Sequence, residues 1–287
     1  MDKIQIPKTI FGEKVEGAIE RALADAEKKG GVVEGSSGVL HASSDAFFLT
    51  GNYGREFLKE YNGIVDNDYD GNSVLKVLEW NDEKEVVTGS NDYSVVLANM
   101  IFIKRGENLR TATPADLEKI LKNKTLVLED HYEDSALCWR SNKDPNIYLA
   151  KALYESYKNK GIIFKEGTPY ICPLFSLSLK KDSNSLKGIS FEVFDDSCYF
   201  EAPILNQPSQ LKFEDTDIDE DKGIPKDVRK NGTRTLYTRN SQSFNPKNSG
   251  LCRFYLGRGL GLVSDGGLEG SVADGRVVAV RAGGTPA

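Results

Sequence analysis

The stretch over residues 251–281, LCRFYLGRGLGLVSDGGLEGSVADGRVVAVR, constrains the fold more than any other part of the chain. Two sets of residues interleave in it. One is an apolar frame of Leu256, Leu260, Leu262, Leu268, Val277, Val278 and Val280. The other is almost entirely Gly, Asp, Ala and Val: Gly257, Gly259, Gly261, Val263, Asp265, Gly266, Gly267, Gly270, Val272, Ala273 and Asp274. Along residues 260–265 the sets alternate strictly, and in a strand a period of two separates a buried face from an exposed one. The frame is therefore expected in a core and the second set at the surface. Residues 277–280 show no polar alternation, as in a strand covered on both faces. Glycine on an open face weakens a strand and packs nothing. Local preference thus opposes the global pattern, as happens where function overrides stability. A flexible linker has no such alternating leucines. The run Gly257-Arg258-Gly259-Leu260-Gly261 lacks the following helix that a phosphate-binding turn requires.

The second set also has a genetic reading. An asparagine codon whose two adenines are randomised reaches Gly, Asp, Ala and Val and never gives a stop. Lys, Gln, Trp and Met, which such a codon cannot reach, are absent from residues 251–282. Glu269 is also out of reach and belongs with the frame. In this pattern of fixed and free positions the chain resembles the archaeal variable proteins of diversity-generating retroelements, in which an error-prone reverse transcriptase rewrites adenines in a C-terminal segment. The resemblance is carried by Gly250-Leu251, Arg253, Tyr255-Leu256, Leu260-x-Leu262-x-Ser264, Leu268, Ser271 and Gly275-Arg276-Val277-Val278. It departs from the family at Cys252, where Ser is expected, and at Phe254.

The resemblance implies a C-type lectin fold, in which a buried terminal strand pins a twisted sheet and the loops above it carry the binding site. Residues 1–287 would form one such domain with insertions, and residues 250–282 its variable ligand-binding segment. The implied function is binding, with no catalytic residue, cofactor or metal. The ligand would be a protein or a glycan, including one on another cell surface, met by the second set of residues listed above and by Arg253, Tyr255 and Arg258 as fixed contacts. The competing reading is an invariant calcium-dependent carbohydrate-binding module.

Net charge of −6 and a pI near 5.2 argue against nucleic acid as a partner, since Lys and Arg dominate affinity for a phosphate backbone. No apolar run is long enough to cross a bilayer, and the first residues, MDKIQIPKTI, lack the apolar core of a signal peptide. Surface display would then need a partner. Cys138, Cys172, Cys198 and Cys252 contain no CxxC pair, so neither a zinc site nor a disulfide-dense scaffold is expected. Buried thiols acting as small hydrophobes are the expected form, with a distant bridge left open.

Elsewhere the chain reads as α+β. Val15, Ile19, Leu23 and Ala26 place a helix over residues 13–29. Thr113-Pro114-x-Asp116 starts a second helix, and Asp144-Pro145 a third that runs to about Lys158. Strand-like runs fall at 74–79, 95–104, 125–128, 161–164, 170–179, 188–194 and 234–238, and residues 213–230 and 240–250 read as surface connections. Asp66-x-Asp68-x-Asp70-Gly71 has the spacing of a calcium loop, but the twelfth position is Val77 rather than Glu. Asp215-x-Asp217-x-Asp219-x-Asp221 lacks the turn glycine altogether and reads as an acidic loop. His41 and His131 have no partner at metal-ligand spacing.

Overall fold

The computed structural model describes residues 9–10, 13–14, 46–140, 146–195, 198–207, 211–238 and 249–281. The chain is a mixed α+β protein with a curled, half-barrel sheet. Its centre is β5 (Tyr132–Arg140), a nine-residue strand buried at every position after the first. Leu137 and Trp139 enter one core while Ala136 and Cys138 enter a second. The sequence of β5 does not announce it, because Glu133, Asp134, Ser135 and Arg140 are polar yet buried and break the apolar run expected of a strand covered on both faces.

Around β5 lies an eight-stranded sheet. On one side come β6 (Tyr170–Pro173) and β9 (Phe200–Glu201). On the other come β12 (Gly250–Leu256), β13 (Leu262–Ser264), β11 (Arg234–Thr238) and β10 (Leu211–Phe213). The short β14 (Gly275–Arg276) runs parallel to the start of β5. A separate three-stranded sheet holds β15 (Val278–Arg281) between β1 (Ala46–Phe48) and β4 (Leu109–Thr111), antiparallel to both. Val277, Val278, Ala279 and Val280 are all buried, as their unbroken apolar run predicts. Smaller hairpins join β2 (Glu79–Asn81) with β3 (Val86–Thr88), and β7 (Leu177–Lys181) with β8 (Ile189–Val193).

Among the described residues, four helices flank the sheets. In α1 (Gly51–Asp68) the residues Phe57, Tyr61, Ile64 and Val65 form the buried stripe. The next helix, α2 (Asp92–Lys104), is buried almost throughout and is capped by Asn91 and Ser94 in reciprocal hydrogen bonds. The sequence reading of 95–104 as a strand is corrected here: VVLANMIFIK is apolar all round, and periodicity cannot separate a core helix from a buried strand. Helix α3 (Pro114–Asn123) begins at its expected Thr113 cap, with Asp116 returning the bond and Leu117 and Ile120 turned inward. Helix α4 (Ile147–Asn159) begins just after Asn146 and buries Leu149, Ala150, Leu153 and Tyr157.

Other expectations are revised. Residues 74–77, 125–128 and 161–164 are turns or irregular segments, and 170–179 is broken by a 3-10 turn at Leu174–Ser176. The supposed loop over 213–230 contains paired strands at Ile218–Asp219 and Ile224–Pro225. Of the helix over 13–29, Glu13–Lys14 pair as a strand with Thr9–Ile10, and the remainder lies outside the described residues, as do Asp144-Pro145 and most of 240–250.

Candidate functional site

The interleaved segment leaves the sheet as β12, turns, returns as β13, loops across the top of α2 and re-enters through β14 and β15. The turn is closed by Gly257 N donating to Gly261 O at 2.8 Å and Leu260 N to Gly257 O at 2.8 Å. Leu260 sits there with φ +59°. The division into frame and surface set therefore misplaces three residues, Leu260 and Gly261 within the strict alternation and Gly257 before it. Gly257 and Gly261 are buried, and Leu260 is only half-buried, because residues 257–261 are a hairpin turn where the period of two does not apply. A Cβ on Gly261 would lie 3.0 Å from Thr235 O. The remaining frame residues Leu256, Leu262, Leu268, Val277, Val278 and Val280 are all buried.

The other positions of the second set face outward in varying degree. Gly259, Gly267, Gly270, Val272, Ala273 and Asp274 are exposed, and Val263, Asp265 and Gly266 half-buried. Nothing lies within 4 Å of a Cβ built on Gly259 or Gly267, whereas one on Gly270 would overlap the Arg253 guanidinium. The loop is tied to the body largely through its own carbonyls. Leu268 O accepts from Asp92 N at 3.2 Å, Val272 O from Ser90 N at 2.9 Å, Asp274 O from Tyr132 N at 3.0 Å and Gly275 O from Gly89 N at 2.7 Å. One side-chain tie is an ion pair of Glu269 with Lys187 at 2.8 Å.

Beneath the loop lies a buried charge network. Asp134 accepts from Arg253 Nε at 3.1 Å, from Arg253 Nη2 at 2.5 Å, from Ser90 Oγ at 2.6 Å and from Ser271 Oγ at 3.1 Å. Arg253 is thus a structural residue, buried to 5% exposure, and is withdrawn as a ligand contact. Asp92 is fully buried 4.0 Å from Arg253 Nε, with neither carboxylate oxygen hydrogen-bonded. Burial, reinforced by Asp134 and opposed by Arg253, holds its carboxyl well above the ordinary range. Beside this network Arg276 pairs with Glu133 at 2.6 Å and stacks on Phe48. Burial pushes the Glu133 carboxyl up to about 7 against the pull of Arg276.

On the outer face of the sheet, Tyr255, Val263 and Tyr237 stand side by side across β12, β13 and β11. Their neighbours on the inner face, Leu256, Leu262 and Leu236, are buried. The Tyr255 ring meets Tyr132 edge-on at 5.6 Å. Arg258 lies over Tyr132 and forms an ion pair with Asp274. Tyr237 is 43% exposed. The sequence reading missed Tyr132 and Tyr237. The alternation of Arg234, Leu236 and Thr238 inward in the strand RTLYT was a signal for the second, whereas Tyr132 adjoins the site only through pairing across distant strands.

The carboxylate runs do not converge. Asp66 and Asp68 are helical, Asp66 pairs with Lys76 at 2.9 Å and Asp70 with Lys181 at 2.8 Å. In the second run Asp215 and Asp217 pair with Arg234 and Arg229. No group of three or more metal-ligating side chains gathers among the described residues. His41 lies outside them, and the His131 imidazole is held below its ordinary value by burial and Arg276. No described helix is long and apolar enough to cross a membrane. Compared with models of known protein families, with curated proteins and with solved structures, the chain shows no match.

Proposed function

We propose that the chain is a ligand-binding variable protein of a diversity-generating retroelement, built on a C-type lectin scaffold. The observation that carries this reading is the division of residues 257–280. Its frame residues Leu262, Leu268, Val277, Val278 and Val280 are buried, while most of the set rich in Gly, Asp, Ala and Val, Gly257 and Gly261 apart, lies wholly or partly at the surface and packs little of the protein's own body. A stable frame carrying replaceable side chains is the logic of an antibody paratope. The buried β15, held between β1 and β4 below the loop, supports the scaffold assignment.

The glycine-rich positions of this variant present little side-chain surface. Binding energy is concentrated in the aromatic and arginine residues around them, as in most protein interfaces. Tyr132, Tyr237, Tyr255 and Arg258 form that fixed margin. Sequencing the DNA that flanks the 3′ end of the gene tests the reading. The expected result is a near-copy of the segment encoding residues 251–281, differing almost wholly where it carries adenine, close to a reverse-transcriptase gene. A flanking region with no such copy overturns it.

A further inference from the structure

Cys252 stands directly opposite Cys138 in the antiparallel register of β12 and β5. Directly opposed residues on such strands point to the same face, and both side chains belong to the same core. Both are fully buried thiols. Opposed Cα atoms lie roughly 4.5–5.5 Å apart, inside the range of about 4.4–6.8 Å that a disulfide spans. The remaining cysteines do not share this placement. Cys172 is registered against Leu137 and lies in the other core, with its sulfur 2.8 Å from Tyr157 Oη. Cys198 precedes β9, beside Asp195 at 3.2 Å.

We infer that Cys138 and Cys252 join as a cross-strand disulfide when the chain folds in the presence of a small-molecule disulfide oxidant such as oxidised glutathione. This goes beyond the binding reading and does not depend on it. One cysteine thiolate attacks the glutathione disulfide, giving a mixed disulfide and expelling a glutathione thiolate. The second cysteine thiolate attacks the protein sulfur of that mixed disulfide and expels the other glutathione thiolate. Two cysteines are oxidised and one glutathione disulfide is reduced to two thiols, which take up the two cysteine protons. Because neither sulfur is exposed in the folded protein, exchange takes place before the second core closes. The bond is then sealed from reductant by the same burial. It fastens the strand that leads into the surface loop to the central strand of the sheet.

The experiment is oxidative refolding of the denatured full chain in a glutathione redox buffer, beside a refolding in excess dithiothreitol. Remaining thiols are blocked with an alkylating agent, and the chain is mapped by non-reducing peptide mass spectrometry. The expected map joins the peptides of Cys138 and Cys252 and shows Cys172 and Cys198 alkylated. The bond closes a loop on the order of 100 residues, so the oxidised form should melt about 8 °C above the reduced form. Cys172→Ala should retain the link, and Cys252→Ala should abolish both the link and the difference between the two melts. The map of the unsubstituted chain decides the matter even where a variant fails to fold. Four alkylated cysteines after oxidative refolding, or a link through Cys172 or Cys198, overturns the inference.

Discussion

Gly275 and Gly267 belong to the same surface-crossing segment, and the structure assigns them opposite tolerances. A Cβ on Gly275 would fall inside Ser90 Oγ and lie 2.8 Å from Ser90 N and 2.9 Å from Ser271 Cβ. None of these atoms can move cheaply. Ser90 Oγ donates to Asp134 at 2.6 Å, Ser90 N donates to Val272 O, and Ser271 Oγ donates to Asp134. Overpacking of a tight site costs about 1–3 kcal/mol, and loss of a buried hydrogen bond to a carboxylate adds roughly 1.5–3 kcal/mol. Gly275→Ala should therefore destabilise by about 3–5 kcal/mol. At Gly267 nothing lies within 4 Å of the added methyl, and an exposed substitution of this kind changes stability by less than about 0.5 kcal/mol. In a chain of this size the contrast corresponds to a separation of about 5–8 °C between the two melting midpoints. Differential scanning calorimetry and urea titration of both variants read it directly. If Gly275→Ala melts within about 2 °C of the parent, or Gly267→Ala falls as far as Gly275→Ala, the division into buried frame and open positions is wrong.

Two further perturbations test the same region. Leu262→Ala should cost about 2–5 kcal/mol because the residue is 2% exposed. Leu260→Ala, in a half-buried turn position, should cost less than about 1.5 kcal/mol, and urea midpoints that fail to separate the two refute the turn geometry. Glu133 supplies a pH test. Its folded pKa, about 7, lies above its ordinary 4.5, so the folded state binds the extra proton. Its contribution to stability is thus fully present below about pH 4.5 and is lost as pH rises through about 7. Glu133→Gln should remove that part of the pH dependence, and urea midpoints whose pH profile over this window is unchanged in the variant would contradict the assignment.

The legible parts of the fold are those whose causes are local. The Thr113-Pro114-x-Asp116 cap specifies α3 from four consecutive residues, and the apolar run at 277–280 declares a doubly covered strand. Helix α2 was misread because its whole surface is apolar, although Asn91 and Ser94 carried its start signal. Helix α1 escaped notice because glycines and asparagines dilute a stripe that Phe57, Tyr61, Ile64 and Val65 nonetheless mark. At the site, the two interleaved sets identified the buried leucines at 256, 262 and 268, but they ran through a turn and misplaced Gly257, Leu260 and Gly261. The role of Arg253 was not legible at all. Its partner Asp134 lies 119 residues away, and no local pattern distinguishes an arginine that meets a ligand from one buried against a carboxylate.

Four main-chain carbonyls moor the loop over 268–275 to amides of the body. A carbonyl is the same chemical group on every residue, so these moorings do not depend on which side chain each position bears. Substitutions at the open positions such as Gly259 and Gly267 alter what the surface presents without reaching these carbonyl contacts. The attachment is in effect blind to most of its cargo, whereas Gly270, above the Arg253 guanidinium, and Gly266, at φ +86°, mark where a new side chain would be felt by the body or the backbone.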